Sequence, residues 1–472
     1  MTSRRGFLAG ASAALTALPG SEQAWAAPPP AGRFGHILMD ADTGEVLDES
    51  AADDLFIPAS TTKSITALAA LSTLTPTTRF MTSVHARGPL TGGVLNGDLT
   101  LVGGGDAALD TQDLALLAKA LHSKGVRRIT GTYAVTGIDG PDTAVLNAQQ
   151  PLQAGYNPAI GSLCLNYNRA LLRWRNGTGG RRLSTHAFAD KRSVPARSVL
   201  FREARGASLP RHDLADAREV WTIPAQSLRR DGERWFPVRR PALYAATVFR
   251  DLCIAEGITL PEPVETDIVP TGPPIAAHRS DVIFGQLKKM MKYSTNLTAE
   301  MMGIAATRGM TGIAPTTVEA AATATADWLL NQGIVNSAPI LENHSGLSTR
   351  SRLSPRQMAM ILRAGRERLG DAYASLHTTG KLRGSQDGLP DYTFRTKTGT
   401  MHFVRCLTGF IEVGRRNTVF AIFHGEDEQR ALLDARYTPY DERKPQGGQR
   451  WLRGAVAHED TVLRDWITQR IR

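Results

Sequence analysis

The chain has little that could cross-link its fold or bind a metal. Its three cysteines, Cys164, Cys253 and Cys406, are odd in number and form no CxxC pair, so at most one disulfide can form and a disulfide framework is excluded. The sequence leaves open whether Cys164 and Cys253 pair. The eleven histidines make no HxxxH or HExxH spacing with each other, which gives no support to a zinc site. We therefore expect no metal and no other cofactor.

Long apolar runs are missing beyond the N-terminus. After residue 26 no stretch reaches the roughly 20 apolar residues that cross a bilayer, so we expect no stable membrane span. Residues 1–26 have a basic start, an apolar stretch near 7–18 and a small-x-small site at 24–26, which is typical of a signal peptide cleaved after Ala26. Arg4 and Arg5 also fit a twin-arginine signal, with an ordinary secretory signal as the alternative. Either signal exports the chain, and the periplasm is the expected location.

Acidic residues are fewer than basic ones, 45 against 55, which gives a formal net charge of +10. Removal of residues 1–26 takes away two arginines and one glutamate and leaves +9. Such a charge favours a polyanionic partner, and for an exported protein the polyanions are cell-wall polymers and lipid head groups rather than nucleic acid. A basic surface without any specific partner explains the charge equally well.

The order of predicted elements indicates an α/β protein of the α+β kind. Apolar and polar residues alternate on both sides of "ADTG" at 41–44, which predicts a β-hairpin, and a helix capped by Ser60 is predicted to follow. From 281 onward helices dominate, and then "DYTFRTKTGT", "CLTGFIEV" and "NTVFAIFHG" predict an antiparallel meander. A polar loop at 426–450 and a final amphipathic helix at 461–471, expected to pack over the sheet, complete the chain.

Strands at both ends of the chain with helices between them predict one antiparallel sheet covered by helices. Residues 33–80 and 275–472 would form this domain, and residues 81–274, with strands, a helix and an arginine-rich middle, would form a large inserted accessory region. Within that region "VGGGD" at 102–106 is not followed by the Lys and Ser/Thr of a phosphate-binding loop. A tight turn between strands is the better interpretation.

Lysine is scarce, with ten in the chain, and Lys63 alone follows a serine by three residues. At that spacing on a helix the side chains of Ser60 and Lys63 share one face. The pair alone is weak support for catalysis, because a capping serine and a solvated lysine give the same pattern. Two further motifs occur once each and in order after it, Ser-x-Asn at 294–296 and Lys-Thr-Gly at 397–399. This trio is typical of enzymes that acylate a serine.

The chemistry of acyl transfer explains these residue types. A serine hydroxyl attacks a carbonyl poorly until a base takes its proton. Lys63 can be that base only when neutral, and lowering its pKa from about 10.4 to about 7 costs roughly 4 to 5 kcal/mol, which burial and the charge of Lys397 would supply. Lys397 with Thr398 is expected to bind a substrate carboxylate, and Gly399 leaves room for substrate along the strand edge.

The remaining motif residues are expected to act on the leaving group and the carbonyl. Ser294 is placed to relay a proton to the leaving group, and the Asn296 amide to hold a substrate carbonyl. The backbone N–H groups of Ser60 and Thr400 are the expected oxyanion hole, because a helix N-terminus and a strand edge both offer free donors.

These motifs resemble those of the low-molecular-mass class C penicillin-binding proteins, the D-alanyl-D-alanine carboxypeptidase/endopeptidase family. The resemblance covers nearly all of the mature chain and rests on "PASTTK" at 58–63, "YSTN" at 293–296, "SGLS" at 345–348, "KTGT" at 397–400 and "GDLTLVGGGD" at 97–106. It implies the penicillin-binding protein/β-lactamase-like transpeptidase fold, with extra domains inserted between the first two motifs.

The resemblance also implies a periplasmic serine carboxypeptidase that acts on peptidoglycan stem peptides. Such an enzyme cuts the D-Ala-D-Ala bond through an acyl-enzyme on Ser60 and is inhibited by β-lactams, and related enzymes also cut D-Ala to diaminopimelate cross-links. The alternatives are a β-lactamase or esterase with the same chemistry, which the large insertion disfavours, and a cell-wall binding protein without activity, which the intact motifs disfavour.

The sequence departs from the family pattern in two places. Asn343 and His344 stand before "SGLS", where relatives tend to carry Asp-Gly, and this puts a carboxylate role there in doubt. "MHFVRC" after "KTGT" is bulkier than the small residues expected, so the preference for the leaving group is in question. Within it, His402 is interpreted as a residue on a strand face, with contact to the substrate as the alternative. Glu300, six residues past Ser294, is interpreted as structural rather than as a deacylating base.

Overall fold

The structure, a computed structural model, describes residues 30–189, 192–215, 218–441 and 445–471. The expected signal peptide and its cleavage site lie outside these residues. No helix in the described ranges is long and apolar enough to cross a membrane.

Strands account for much of the described chain. They are β1 Arg33–Asp40, β2 Val46–Ser50, β3 Met81–Arg87, β4 Leu90–Thr91, β5 Val94–Leu95, β6 Asp98–Gly103, β7 Arg128–Ile129, β8 Tyr133–Gly137, β9 Arg169–Gly177, β10 Gly180–Ala189, β11 Arg192–Pro195, β12 Val199–Ala204, β13 Arg211–Ala215, β14 Arg218–Pro224, β15 Gly232–Pro237, β16 Val264–Glu265, β17 Ala276–Arg279, β18 Thr378–Thr379, β19 Tyr392–Met401, β20 Val404–Val413 and β21 Arg416–Gly425.

Helices dominate the stretch between β17 and β18. The helices are α1 Thr62–Thr73, α2 Thr111–Ser123, α3 Pro241–Ala255, α4 Ile283–Tyr293, α5 Asn296–Thr311, α6 Val318–Asn331, α7 Pro355–Leu376, α8 Asp427–Ala435 and α9 Gly448–Asp465. Helix α7 is interrupted at Gly370, which has a positive φ of 60°. A π-helical turn, Trp466–Arg470, follows α9.

One compact unit contains the described residues up to 76, then 287–437 and 445–471. Its sheet has the order β18-β19-β20-β21-β1-β2 and is antiparallel throughout. Helix α7 packs against β1 and β21, and α1 packs against α5 and α7. The antiparallel sheet covered by helices that the sequence predicts is therefore confirmed, as are the hairpin of β1 and β2 and the meander of β19, β20 and β21.

The C-terminal helix packs over the sheet, as expected, but its predicted bounds are wrong. Leu463, Trp466, Ile467 and Ile471 share a buried apolar cluster with residues of the sheet that include Phe420. The helix begins at Gly448 rather than at residue 461, and the predicted polar loop contains helix α8. Charged residues occupy inward positions of α9, among them the buried Glu459, so apolar periodicity alone did not mark its start.

The second compact unit contains the described residues between 77 and 286 and residues 438–441. It has a five-stranded sheet of order β16-β8-β6-β3-β17 and three smaller sheets, around one apolar core that includes Leu101, Leu117 and Tyr244. "VGGGD" forms the end of β6 and the start of the loop that leads to helix α2, so the predicted tight turn between strands is wrong. This unit covers a somewhat longer range than 81–274, and its identity as an inserted accessory region stays a prediction. Cys164, Cys253 and Cys406 are buried and carry no disulfide.

Candidate active site

The segment from Pro58 to Lys63 enters helix α1 through a single 3-10 turn, Ala59–Thr61. Ala59 has a positive φ of 45°, which is unusual for a residue other than glycine. Thr61 donates its hydroxyl to the Pro58 carbonyl at 2.6 Å and Thr62 to the Ala59 carbonyl at 2.9 Å, and these bonds hold the turn. The expectation that Ser60 caps the helix is wrong. Ser60 lies inside the turn, and no side chain caps α1.

Lys63 is fully buried and its ammonium meets three oxygens. Nζ donates to Ser60 Oγ at 3.0 Å, to Asn296 Oδ1 at 2.9 Å and to the Ser345 carbonyl at 2.7 Å. The three contacts satisfy all donors of the ammonium group. They join the start of α1, the start of α5 and the loop that carries "SGLS".

Ser294 lies in the two-residue break between α4 and α5 and has a positive φ of 56°. Its hydroxyl accepts a hydrogen bond from Lys397 Nζ at 3.1 Å, and the same ammonium donates to the Thr398 carbonyl at 2.7 Å. Lys397 is 3 % exposed. Strand β19 and the helix break therefore form a second lysine–serine pair, two residues from the Asn296 that contacts the first.

The edge of β19 runs directly beside the start of α1. A Cβ placed on Gly399 would lie 2.7 Å from the Pro58 carbonyl oxygen and 3.0 Å from the Ser60 nitrogen. Only glycine permits this approach of two backbones. Thr398 and Thr400, on either side, are exposed. The short strand β18 pairs with Thr396 and Arg395 but not further along β19.

Glu300 is completely buried one turn into α5. Its two oxygens accept hydrogen bonds from the backbone nitrogens of His344 and Ser345, both at 2.9 Å. Burial raises the pKa of Glu300, and the bonds from Ser345 and His344 and the charge of Lys63 oppose this. Glu300 thus anchors the loop whose Ser345 carbonyl accepts from Lys63, in agreement with its interpretation as a structural residue.

The residues that depart from the family pattern have structural partners. Asn343 Oδ1 accepts from the backbone nitrogens of Gly346 and Leu347 at 2.9 and 3.2 Å, and so closes the turn. The ring of His344 fills the space beside Gly303, where a Cβ would lie 2.0 Å from it. Burial lowers the pKa of His344 to about 4, so this ring is neutral at pH 7.

Both lysines predicted for the site, Lys63 and Lys397, have lowered pKa values. Burial first, and then the charge of Lys397, lower the pKa of Lys63 well below its usual range, while Glu300 opposes them. Burial and the charge of Arg405 lower the pKa of Lys397 to about 7. The neutral form of Lys397 is therefore accessible near pH 7, and the shift of Lys63 also favours its neutral form. Among the described residues no cluster of His, Cys, Asp or Glu could hold a metal ion.

The structure brings together the side chains that the sequence singled out. Ser60, Lys63 and Asn296 are joined by hydrogen bonds, as are Ser294 and Lys397, and Gly399 lies beside Ser60. His402 is different, because it is exposed in the turn between β19 and β20 rather than on a strand face. Sequence reasoning missed the role of the Ser345 carbonyl, although "SGLS" was noted, and the buried pair of Arg405 and Glu459, which had no motif to mark it.

Known proteins share both the sequence pattern and the fold. The model of the D-Ala-D-Ala carboxypeptidase 3 (S13) family matches residues 23–439. A D-alanyl-D-alanine carboxypeptidase of Actinomadura sp. (strain R39) is 25 % identical over 478 residues, which cover 92 % of this chain and 86 % of that protein.

Solved structures agree in fold. Penicillin-binding protein 4 of Haemophilus influenzae has a TM-score of 0.71 and 20 % identity, with 92 % of this chain and 97 % of that chain covered. The same protein in complex with a novel β-lactam gives a TM-score of 0.72, 20 % identity and the same coverage. At this level of identity the likeness concerns the fold, which is that of a penicillin-binding protein with extra domains.

Because the family model spans most of the chain, from residue 23 to residue 439, the chain belongs to the D-Ala-D-Ala carboxypeptidase 3 (S13) family and is a serine-type carboxypeptidase of the low-molecular-mass class C penicillin-binding proteins.

Proposed function

We propose that the protein hydrolyses the terminal D-Ala-D-Ala bond of peptidoglycan stem peptides through an acyl-enzyme on Ser60. The observation that carries this proposal is the buried Lys63 amine, 3.0 Å from Ser60 Oγ, with a pKa lowered by burial and by Lys397. The enzyme would be exported by the signal at 1–26 and act in the periplasm. β-Lactams would acylate the same serine.

In the first step neutral Lys63 takes the hydroxyl proton of Ser60, and Ser60 Oγ attacks the carbonyl carbon of the penultimate D-Ala. The carbonyl oxygen becomes negative and is stabilised by the backbone N–H groups of Ser60 and Thr400. The C–N bond then breaks, an ester to Ser60 remains, and the amine of the leaving D-alanine receives, through Ser294, the proton that Lys63 took from Ser60. The contact of Ser294 with Lys397 at 3.1 Å supports this relay.

Substrate binding uses the β19 edge and the start of α5. The carboxylate of the last D-Ala would bind the charge of Lys397 and the hydroxyl of Thr398, while Gly399 leaves room for the peptide backbone. The Asn296 amide would hold a carbonyl of the substrate. The exposure of Thr398 and Thr400 supports a substrate that lies along this edge.

Neutral Lys63 then takes a proton from water, and the oxygen of that water attacks the ester carbonyl. As the ester C–O bond breaks, Lys63 gives the proton to Ser60 Oγ, so the Ser60 hydroxyl and neutral Lys63 are restored. Glu300 is not available as the base for this step, because both its oxygens accept backbone N–H bonds in the interior. Cross-linked peptides present the same D-Ala carbonyl on a different leaving amine, so a DD-endopeptidase activity uses the same residues.

The nucleophile can be tested with a labelled penicillin and the purified protein. We expect a covalent adduct with the mass of one penicillin on the wild type and none on Ser60→Ala. Lys63→Met, which has a side chain of similar length and no amine, should slow adduct formation by about two orders of magnitude or more. An unlabelled wild type, or equal labelling of Ser60→Ala, would show that the assignment of the nucleophile is wrong.

Product analysis on muropeptides separates the possible activities. D-Alanine released from pentapeptides indicates a carboxypeptidase, and monomers formed from cross-linked dimers indicate an endopeptidase. Rapid turnover of penicillin without a lasting adduct would instead favour the β-lactamase alternative.

A further inference from the structure

Arg405 and Glu459 form a buried ion pair directly behind the "KTGT" strand. Arg405 Nε donates to the two Glu459 oxygens at 2.8 and 3.0 Å, and Nη2 donates to Oε2 at 2.8 Å. The side chains are 10 % and 3 % exposed. Arg405 lies on β20 and Glu459 on the C-terminal helix α9, so the pair fixes the guanidinium in one orientation.

The free end of that guanidinium contacts the candidate site. Arg405 is the cross-strand neighbour of Thr400, and its Nη1 donates to Thr400 Oγ1 at 3.1 Å. Thr400 is exposed, whereas Lys397, three residues earlier, is buried. The terminal helix is thus connected to the substrate edge of β19 through one side chain.

We propose that Arg405 is a positioning residue that, held by Glu459, turns the Thr400 hydroxyl into a dedicated donor for the carboxylate at a free peptide C-terminus. The enzyme would then select peptides that end in a carboxylate over those capped at that position. This inference rests on the proposed function and concerns the specificity of the same site.

The direction of the hydrogen bond supports this assignment. A guanidinium donates and never accepts, so Arg405 occupies a lone pair of Thr400 Oγ1 and the hydroxyl proton of Thr400 points elsewhere. Because the side chain is exposed at the strand edge, this proton is available to an acceptor in the substrate groove. A carboxylate is such an acceptor, and the positive charge of Arg405 behind the hydroxyl strengthens the bond.

The charge of Arg405 also acts on Lys397. After burial, this charge is the cause that lowers the pKa of Lys397. Removal of the guanidinium should therefore raise the pKa of Lys397, and the pH profile gives a readout that a loss of packing would not move.

The test compares two substrates that differ at one group, a peptide ending in D-Ala-D-Ala with a free carboxylate and the same peptide as its C-terminal amide. The double variant Arg405→Met/Glu459→Gln removes both charges, so that no unpaired carboxylate stays buried. Thr400→Val removes the hydroxyl and keeps the shape. Arg395→Met is the matched control, because Arg395 lies on β19, next to the strand of Arg405, and forms an ion pair across the strands with Glu412 at 3.4 Å.

We expect the preference of the double variant for the free carboxylate over the amide, measured as the ratio of kcat/KM, to fall about tenfold, since one charge-assisted hydrogen bond is removed. The change should be an increase in KM for the free carboxylate, with kcat little changed. Thr400→Val should cause a similar loss, and the triple variant no more than either, because Arg405 acts through Thr400. The falling limb of kcat/KM should move to higher pH in the double variant. Arg395→Met should keep the wild-type preference and pH profile.

An unchanged ratio of the two substrates in a folded double variant would overturn the inference, and so would additive losses in the triple variant. If the double variant does not fold, the same ratio of the two substrates is measured in Thr400→Val and in Arg405→Lys. Arg405→Lys keeps the charge but not the fork geometry of the guanidinium. A wild type that releases no D-alanine would contradict the proposed function itself, which is a separate outcome.

Discussion

Two buried lysines, Lys63 and Lys397, have opposite requirements in the proposed reaction. Lys63 must be neutral to accept the proton of Ser60, while Lys397 must be charged to bind a carboxylate. The charge of Lys397 disfavours the charge of Lys63, because, after burial, it lowers the pKa of Lys63. The charge of Lys397, which would bind the substrate carboxylate, therefore also favours the neutral form of Lys63 that acts as the base.

The pH dependence of kcat/KM follows from these two groups. We expect the rate to rise with pH as Lys63 loses its proton and to fall above about pH 7 as Lys397 loses its charge. Lys397→Arg keeps a positive charge at all accessible pH values, so the falling limb should disappear in this variant even if its rate is lower. A falling limb that persists in Lys397→Arg would assign it to another group.

At the scale of elements, the site depends on how closely β19 approaches the start of α1. Gly399→Ala would place a Cβ 2.7 Å from the Pro58 carbonyl oxygen and 3.0 Å from the Ser60 nitrogen. Both are backbone atoms, so the strand must move away. We expect adduct formation with penicillin to slow by about 100-fold, because displacements of about 1 Å have such effects on positioned groups.

Gly414→Ala provides the comparison for this prediction. Gly414 lies in the turn between β20 and β21 with open space around its Cβ position, although its φ of 60° makes the substitution mildly strained. This variant should acylate at nearly the wild-type rate. Equal rates for Gly399→Ala and the wild type would show that the contact between strand and helix is not needed.

The elements that the sequence predicted well have strong local signals. Alternation marked the hairpin of β1 and β2, strand-like runs marked β19, β20 and β21, and unique motifs marked the positions of Ser60 and Ser294. The fine geometry of these breaks was not predictable, because the positive φ values of Ala59 and Ser294 are imposed by the packing around them rather than by residue type. For this reason the sequence predicted Ser60 as a helix cap, because serine is a common capping residue, whereas in the structure Ser60 lies inside a turn.

The start of α9 and the pair of Arg405 and Glu459 were missed for a shared reason. Glu459 is an inward-facing charge, and a charged residue on the buried face weakens the apolar periodicity that predicts a helix. The buried position of Glu459 is favourable only because Arg405 of strand β20 pairs with it. A single sequence does not show which charged residues lie together in the fold. Helix α8 has no buried residues, so nothing in its pattern distinguished it from a polar loop.

At the scale of the whole molecule, the residues of the site all come from one compact unit, 30–76 with 287–437 and 445–471. The other unit has its own titratable group in the interior. Asp106, the last residue of "VGGGD", is 3 % exposed, and burial raises its pKa to about 7. The unit of residues 77–286 therefore has a source of pH-dependent stability that is not one of the residues of the candidate active site.

Asp106 should make the unit of residues 77–286 less stable as pH rises. Its pKa is higher in the folded state than in the unfolded state, so the stability that it contributes is present below about pH 4 and is lost as pH rises through about 7. The loss amounts to about 4 kcal/mol for a shift of about three pKa units. Asp106→Asn should flatten this dependence in denaturant unfolding between pH 4 and 8.

The matched control is Asp98→Asn, which changes a carboxylate of the same unit that is partly exposed and accepts a hydrogen bond from the Thr132 backbone nitrogen. It should leave the slope of stability against pH between 4 and 8 close to that of the wild type. An identical slope in Asp106→Asn and the wild type would contradict the assignment to Asp106.

The three oxygens around the Lys63 amine also determine where its lone pair points. The charged form has three N–H bonds and serves Ser60 Oγ, Asn296 Oδ1 and the Ser345 carbonyl together. The neutral form has two N–H bonds and one lone pair, and neither an amide oxygen nor a carbonyl oxygen can donate a proton to it. Only the hydroxyl of Ser60 can, so loss of one proton from the amine aims its lone pair at the atom that must be activated.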